Sequence, residues 1–493
     1  MIIHKVLTMK YLLGIDVGTT GTKTLLFSAD GGLIGHAYRG YPISNPQVGW
    51  CEQRAEDWWQ AVVETVREIC STADIKENVA AISLSLQGGT IVAVDSENEP
   101  LRPAIVWNDG RFTDQESAFR VEVGDDDVMY RRTGWHLSNI LPAMAIRWIK
   151  DNQPEIFNKT KMFLSVPDYI SMKMTGVAAV DLSDAGINQL CNIQTGEYDD
   201  TLLGFAGITR DMLAKIVRSG DLIGHLTEKA AYELGLTTET VLVAGAHDQY
   251  AVALGAGATN AGDILIGSGT CWVVTAISDK PDFDSGLSQS VAAVPGMWGA
   301  LESLSSGGIC LDWLRKHIAE NLSYDILNRE LINRKAAEDG LFFFPFAGLY
   351  DTRKRFQKAT FLGLDLSHDR MDMARAIMEG VVFQTKWIME SFSAKPAESG
   401  IILAGGASKS PVWSQLVADI CGLPVRIPEV ADLACVGAAV MAGVGCGIFE
   451  DMNAGYKCLA VSERVLQPNL EQTARYAPLF AEYKRKANML GHI

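Results

Sequence analysis

No C-x-x-C pair occurs anywhere in the 493 residues, and the nine cysteines are scattered and odd in number. That argues against a zinc site of common spacing and against a disulfide framework; reduced thiols of a cytoplasmic protein are expected. Basic residues are in the minority: 43 Lys and Arg against 59 Asp and Glu leave a formal charge of −16. A nucleic-acid partner needs a basic face, so none is expected. A nucleotide ligand is still allowed, because backbone N–H groups can cradle phosphate without net charge. No secretory signal is present: KVLTMKYLLGI is apolar but runs into Asp16 and a glycine turn without a small-residue cleavage site. Met9 is an alternative start, which would make the first eight residues an extension. Long apolar runs are also scarce. Residues 433–449 form an uncharged run of 17, dominated by Ala and Gly and at the short limit for a span. It reads as a close-packed buried helix, and no membrane partner is expected.

What remains is an ordinary globular composition, 48% hydrophobic and 21% charged. The length allows roughly three domains, or fewer larger ones. YLLGI, TKTLLFS, AAISLSL and TIVAVDS read as strands, and AEDWWQAVVETVREIC as a helix with Glu56 and Asp57 in its first turn. The mixture predicts α/β architecture. A weak internal echo links YLLGIDVGTTGTKTLLFS to GDILIGSGTCWVVTAIS. Placing Gly18-Thr19 on Gly269-Thr270 brings Ile15 onto Ile266 and Asp16 onto Gly267. Two glycine-turn hairpins, one per half of a duplicated chain, would clamp a phosphate chain between them.

In the run Asp16-Val17-Gly18-Thr19-Thr20-Gly21-Thr22-Lys23 the glycines permit close backbone approach, and Thr groups and Lys23 suit phosphate. Asp16, ending a buried strand, suits hydrated Mg²⁺, which takes one or two carboxylates plus phosphate oxygens. The G-x-x-x-x-G-K-[ST] spacing is absent, so this is not a Walker A loop. An ordinary hairpin with an Asp at its turn would look the same.

This hairpin resembles the first phosphate motif of the actin/hexokinase-like ATPases. Within these, the chain is similar to the FGGY carbohydrate kinases, the family of xylulokinase, gluconokinase and glycerol kinase. The resemblance runs nearly end to end, through 101–111 (LRPAIVWNDGR), 166–176 (VPDYISMKMTG), 243–257 (VAGAHDQYAVALGAG), 305–315 (SSGGICLDWLR), 375–384 (RAIMEGVVFQ) and 404–425 (AGGASKSPVWSQLVADICGLPV). It implies two RNase-H-like, actin-like ATPase domains around a central cleft, residues 1–258 and 259–493. It also implies an ATP- and Mg²⁺-dependent kinase acting on a small sugar or polyol. The sequence leaves oligomeric state open, a homodimer included. An actin-like ATP-binding regulator without kinase activity is the rival reading.

Val241 to Ala246 reads as a buried strand, followed by His247-Asp248-Gln249 and a helical segment. By residue type alone, Asp248 suits a helix N-cap. The resemblance puts the family's catalytic aspartate there, a base for the attacking hydroxyl, with Gln249 as a substrate contact. It also assigns Gly269 and Thr270 to the second phosphate motif, and Gly308, Asp312, Gly405, Gly406 and Ser410 to the nucleotide pocket.

On the sugar side the pattern thins. Gln87 fits the family's substrate grip, but Gly88 and Gly89 stand where glycerol kinases carry Arg-Glu and xylulokinases Met-His. The pocket should therefore be roomier there, or be filled by another residue. Ile140 replaces a Tyr of glycerol kinases, which argues against glycerol. Trp107 is a candidate wall for the sugar or a core residue, and Asp109 with Arg111 reads as a structural ion pair. D-xylulose or another pentulose is the default substrate; gluconate, other ketoses and four- or five-carbon polyols remain open.

Overall fold

The computed structural model describes residues 9–490, apart from 321, 333, 335–339, 346–357, 394, 431 and 460–461. The first eight residues, on which the alternative start bears, lie outside the described residues.

Two mixed sheets form the frame. The first contains β1 (Tyr11–Val17), β2 (Gly21–Ser28), β3 (Leu33–Gly40), β4 (Val79–Leu86), β5 (Leu222–His225) and β6 (Val241–His247), in the order β5-β6-β4-β1-β2-β3. Every residue of β1 and β6 is buried, so both read as continuous apolar runs rather than alternating ones. The helix Ala55–Ile69 buries Trp58, Ala61, Val62, Thr65 and Val66, the helical spacing seen in the sequence.

The second sheet contains β7 (Ile264–Ser268), β8 (Trp272–Ser278), β9 (Ser288–Val291), β10 (Trp298–Leu304), β11 (Ile401–Gly405), β12 (Val425–Pro428) and β13 (Glu463–Leu466), ordered β9-β10-β8-β7-β11-β12-β13. The sequence echo is therefore an echo of topology. In each sheet a hairpin strand pairs antiparallel with the next (β1 with β2, β7 with β8) and parallel with a later one (β1 with β4, β7 with β11). The turns differ by one residue: Val17 opposes Thr22, whereas Ser268 opposes Trp272.

Two helices join the halves. Asp248–Gly255 (α1) follows β6, and the Ala/Gly-rich run forms Leu433–Gly445 (α2). This is the buried helix expected, although it stops before residue 449. Among the described residues no helix is long and apolar enough to cross a membrane. Although α2 comes from the second half, it lies across the first sheet. A Cβ on Gly14 of β1 would sit 1.9 Å from the Cys435 carbonyl oxygen, and one on Gly437 would sit 2.0 Å from that of Ala251. Small residues thus bring helix and strand backbones into direct contact. Leu12, Leu25 and Phe27 share one core with Val436, Val440 and Met441.

Candidate active site

The carboxyl end of β6, the two glycine turns and the start of α2 converge on a cavity of about 800 Å³. Gly18 and Lys23 line it from the first hairpin, Gly269 from the second, and Asp16, Asp248 and Gln249 from the first half. Gly405 and Gly406 line its far side. An adjoining cavity of about 470 Å³ shares Gly269 and Gly406, and adds Thr270, Gly308, Asp312 and Ser410. Of the residues expected around a nucleotide, all but Thr19 and Thr20 line one cavity or the other.

Several of these residues also have partners within the chain. Thr19 and Thr20 sit at the hairpin tip, outside both linings. The Gly18 N–H is spent inside the turn, donating to the Gly21 carbonyl at 3.1 Å. Lys23 is already engaged: its Nζ lies 2.6 Å from Asp432 and 3.7 Å from Asp16. Ser410 caps the helix Pro411–Cys421 through the Trp413 N–H and donates to Asn328 at 2.6 Å. The Asp312 carboxylate accepts from Arg315 and from the Tyr324 hydroxyl. Gly405 has φ +96 and lies so near Ser268 that a Cβ would come within 2.9 Å, so β11 can turn only on a glycine.

Asp248 is not a cap. His247 occupies the N-cap position, and Asp248 is the first helical residue. Among the described residues its buried Oδ1 accepts no hydrogen bond, while 36% of the side chain is exposed. Asp16 is buried in β1 and accepts from Ser85 at 2.9 Å. Burial, with repulsion from Asp432 and Asp248, pushes its carboxyl up to about 7 against the pull of Lys23.

The Gly88-Gly89 step is filled by another residue. A Cβ on Gly88 would lie 2.5 Å from Cδ2 of His247, whose imidazole occupies that space. Gly89 has φ +75, and its Cβ would press on Trp107 at 3.1 Å and Leu141 at 3.2 Å. Gln87 is buried beside them, its Oε1 without a hydrogen-bond partner among the described residues. Trp107 is 41% exposed, so it is no core residue, and its Nε1 donates to the Thr19 hydroxyl at 3.0 Å. It thereby links the sugar-side loop to the phosphate hairpin. Asp109 and Arg111 are a buried ion pair that also engages Glu52, as expected.

Sequence reasoning missed several residues. Lys409 and Arg464 line the larger cavity as cations, and Asp432 caps α2 while holding Lys23. Asp432 carried one readable signal, an acid just before a helical run. Trp135, whose ring lies 6.0 Å from that of His247, carried none.

The model of the N-terminal domain of the FGGY family of carbohydrate kinases matches residues 11–255, and that of the C-terminal domain matches 263–446. A gluconokinase of Bacillus subtilis is 30% identical over 462 residues, covering 90% of this chain and 89% of that relative. A xylulose kinase of the same organism is 30% identical over 482 residues, covering 97% and 96%. The crystal structure of a xylulose kinase from Rhodospirillum rubrum superposes with a TM-score of 0.91 at 26% identity, covering 98% of this chain and 99% of that one. With both halves matched in order and relatives aligned over nearly their full length, the chain belongs to the FGGY family of carbohydrate kinases and is an enzyme of sugar phosphorylation.

Proposed function

We propose that the chain transfers the γ-phosphoryl group of ATP to a hydroxyl of a pentulose such as D-xylulose, with Asp248 as the base. The observation that carries this reading is Asp248 itself. It opens α1 within the cavity as its first helical residue and keeps a carboxylate whose buried oxygen accepts no hydrogen bond among the described residues. Phosphoryl transfer needs positioning, charge stabilisation and an acceptor for the hydroxyl proton, and Asp248 supplies the last. Gly269 and Gly406, common to both cavities, support a nucleotide lying across the two spaces.

Mg²⁺ is the ion this reading requires, and Asp16 fits it. A buried carboxyl raised by neighbouring acids is a group whose anionic form a cation would favour. Among the described residues no cluster of three or more His, Cys, Asp or Glu forms a cage. Mg²⁺ keeps waters and takes one or two carboxylates plus phosphate oxygens. When bound, it neutralises charge on the transferring phosphates. Asp16 would hold it, while the Lys23–Asp432 pair fixes the hairpin against α2.

The boundary between the two domains is proposed near residue 258, between the end of α1 and the start of β7. The nine free cysteines support a reducing cytoplasm as its compartment. Gluconate is the second reading, favoured by the gluconokinase relative at the same 30% identity. A coupled ADP-release assay with pentuloses, hexonates and polyols tests both. D-xylulose should stimulate ADP release and glycerol should not. Stimulation by gluconate alone would replace the pentulose, and no stimulation by any sugar would overturn the reading.

A further inference from the structure

Among the described residues, both carboxylate oxygens of Asp184, Nδ1 of His247 and Oδ1 of Asp248 are buried without a hydrogen-bond partner. Such groups are costly to leave unmade, so a cluster of them calls for a reason. Their geometry supplies one. His247 Nδ1 lies 3.5 Å from Asp248 Oδ1. On the other side of the ring, the point where a Cβ of residue 88 would sit is 2.8 Å from His247 Nε2 and 3.0 Å from Asp184 Oδ1. The missing side chain of Gly88 is thus the space that the imidazole occupies, with Asp184 bordering it. The backbone is fixed as well: the His247 N–H donates to the Ser183 hydroxyl at 2.9 Å, next to Asp184 in the helix Leu182–Ile187.

We propose that His247 is a positioning residue for the base, steadying the buried Oδ1 of Asp248 through Nδ1 while the bare Gly88 leaves the ring its room. The other oxygen of Asp248 is then left to the substrate hydroxyl. Gly88 then serves the base and not the sugar: it makes room for the ring that holds Asp248. This rests on the reading of Asp248 as the base.

The test is steady-state kinetics of the full chain with ATP and the panel sugar that turns over fastest. Thermal unfolding of each variant checks that it is folded. His247→Ala should lower kcat by about 10- to 100-fold, the cost of a misplaced catalytic group, with sugar KM changed by less than about threefold. His247→Asn keeps an N–H near the Nδ1 position and should retain more kcat than His247→Gln. Gly88→Ala pushes into the ring and should resemble His247→Ala, and the double variant should fall no lower than His247→Ala alone. A folded His247→Ala with near-normal kcat, beside an inactive Asp248→Asn, would overturn the proposal and leave the base intact. So would independent, additive losses from Gly88→Ala and His247→Ala. Should His247→Ala not fold, the Asn–Gln comparison and Gly88→Ala decide in its place. Near-normal turnover of Asp248→Asn would remove the base and this proposal together.

Discussion

Asp16 and Asp248 repel one another across the cavity, yet they are asked for different work. Asp248→Asn keeps the shape and removes the proton acceptor. It should fold and bind ATP but lose about 10²- to 10⁴-fold in turnover, measured as sugar-dependent ADP release. Asp16→Ala should abolish Mg²⁺-dependent turnover; a titration showing unchanged Mg²⁺ dependence would remove Asp16 from the metal site. The two residues were unequally legible. Asp16 stood in a glycine-threonine hairpin that suggests phosphate by composition. Asp248 looked like a cap, and only its place in the helix, one residue past the N-cap His247, separates the two roles. The pairing of Gly88 with His247 was not legible, because no spacing rule connects residues so far apart in the chain.

Among the elements, α2 bears the strictest fit. Gly437 meets the Ala251 carbonyl of α1, and Gly255 meets the Leu433 carbonyl of α2, at backbone distance. Gly437→Ala should destabilise the protein by about 1–3 kcal/mol, the usual cost of overpacking. The readout is a lower midpoint in chemical denaturation at unchanged m-value. Strands with complete burial and the amphipathic helix Ala55–Ile69 could be read from periodicity, because burial writes directly into residue type. The run TIVAVDS yielded only the short strand Val92–Val94. The partner of α2 could not be read, since a helix buried all round carries no stripe to show which sheet it covers.

For the molecule as a whole, buried acids set the response to pH. Burial raises Asp168 to about 6, and burial with neighbouring acids raises Asp16 to about 7. Asp181 and Asp184 are raised in the same sense. In the unfolded chain these carboxyls titrate near 4, so the folded state binds more protons between about pH 4 and 7. The stability they contribute is present at low pH and is lost as pH rises through that window. Asp126 and Asp369, held low by His136 and Arg334 against their burial, act below it. For Asp168 the rise from 3.8 to about 6 is worth about 3 kcal/mol as an upper figure. The unliganded protein should therefore melt at higher temperature at pH 5 than at pH 8, and Asp168→Asn should raise the pH 8 value and flatten the difference.

The core that α2 shares with β1 and β2 also imposes an order on synthesis. Leu12, Leu25 and Phe27 are made long before Val436, Val440 and Met441, which cover them. A nascent chain that has just completed residue 258 still carries that apolar face of its first sheet bare. Final assembly of the first sheet's core must then wait for α2 to be made, and shielding that face in the interval is a task for the ribosome surface or a chaperone.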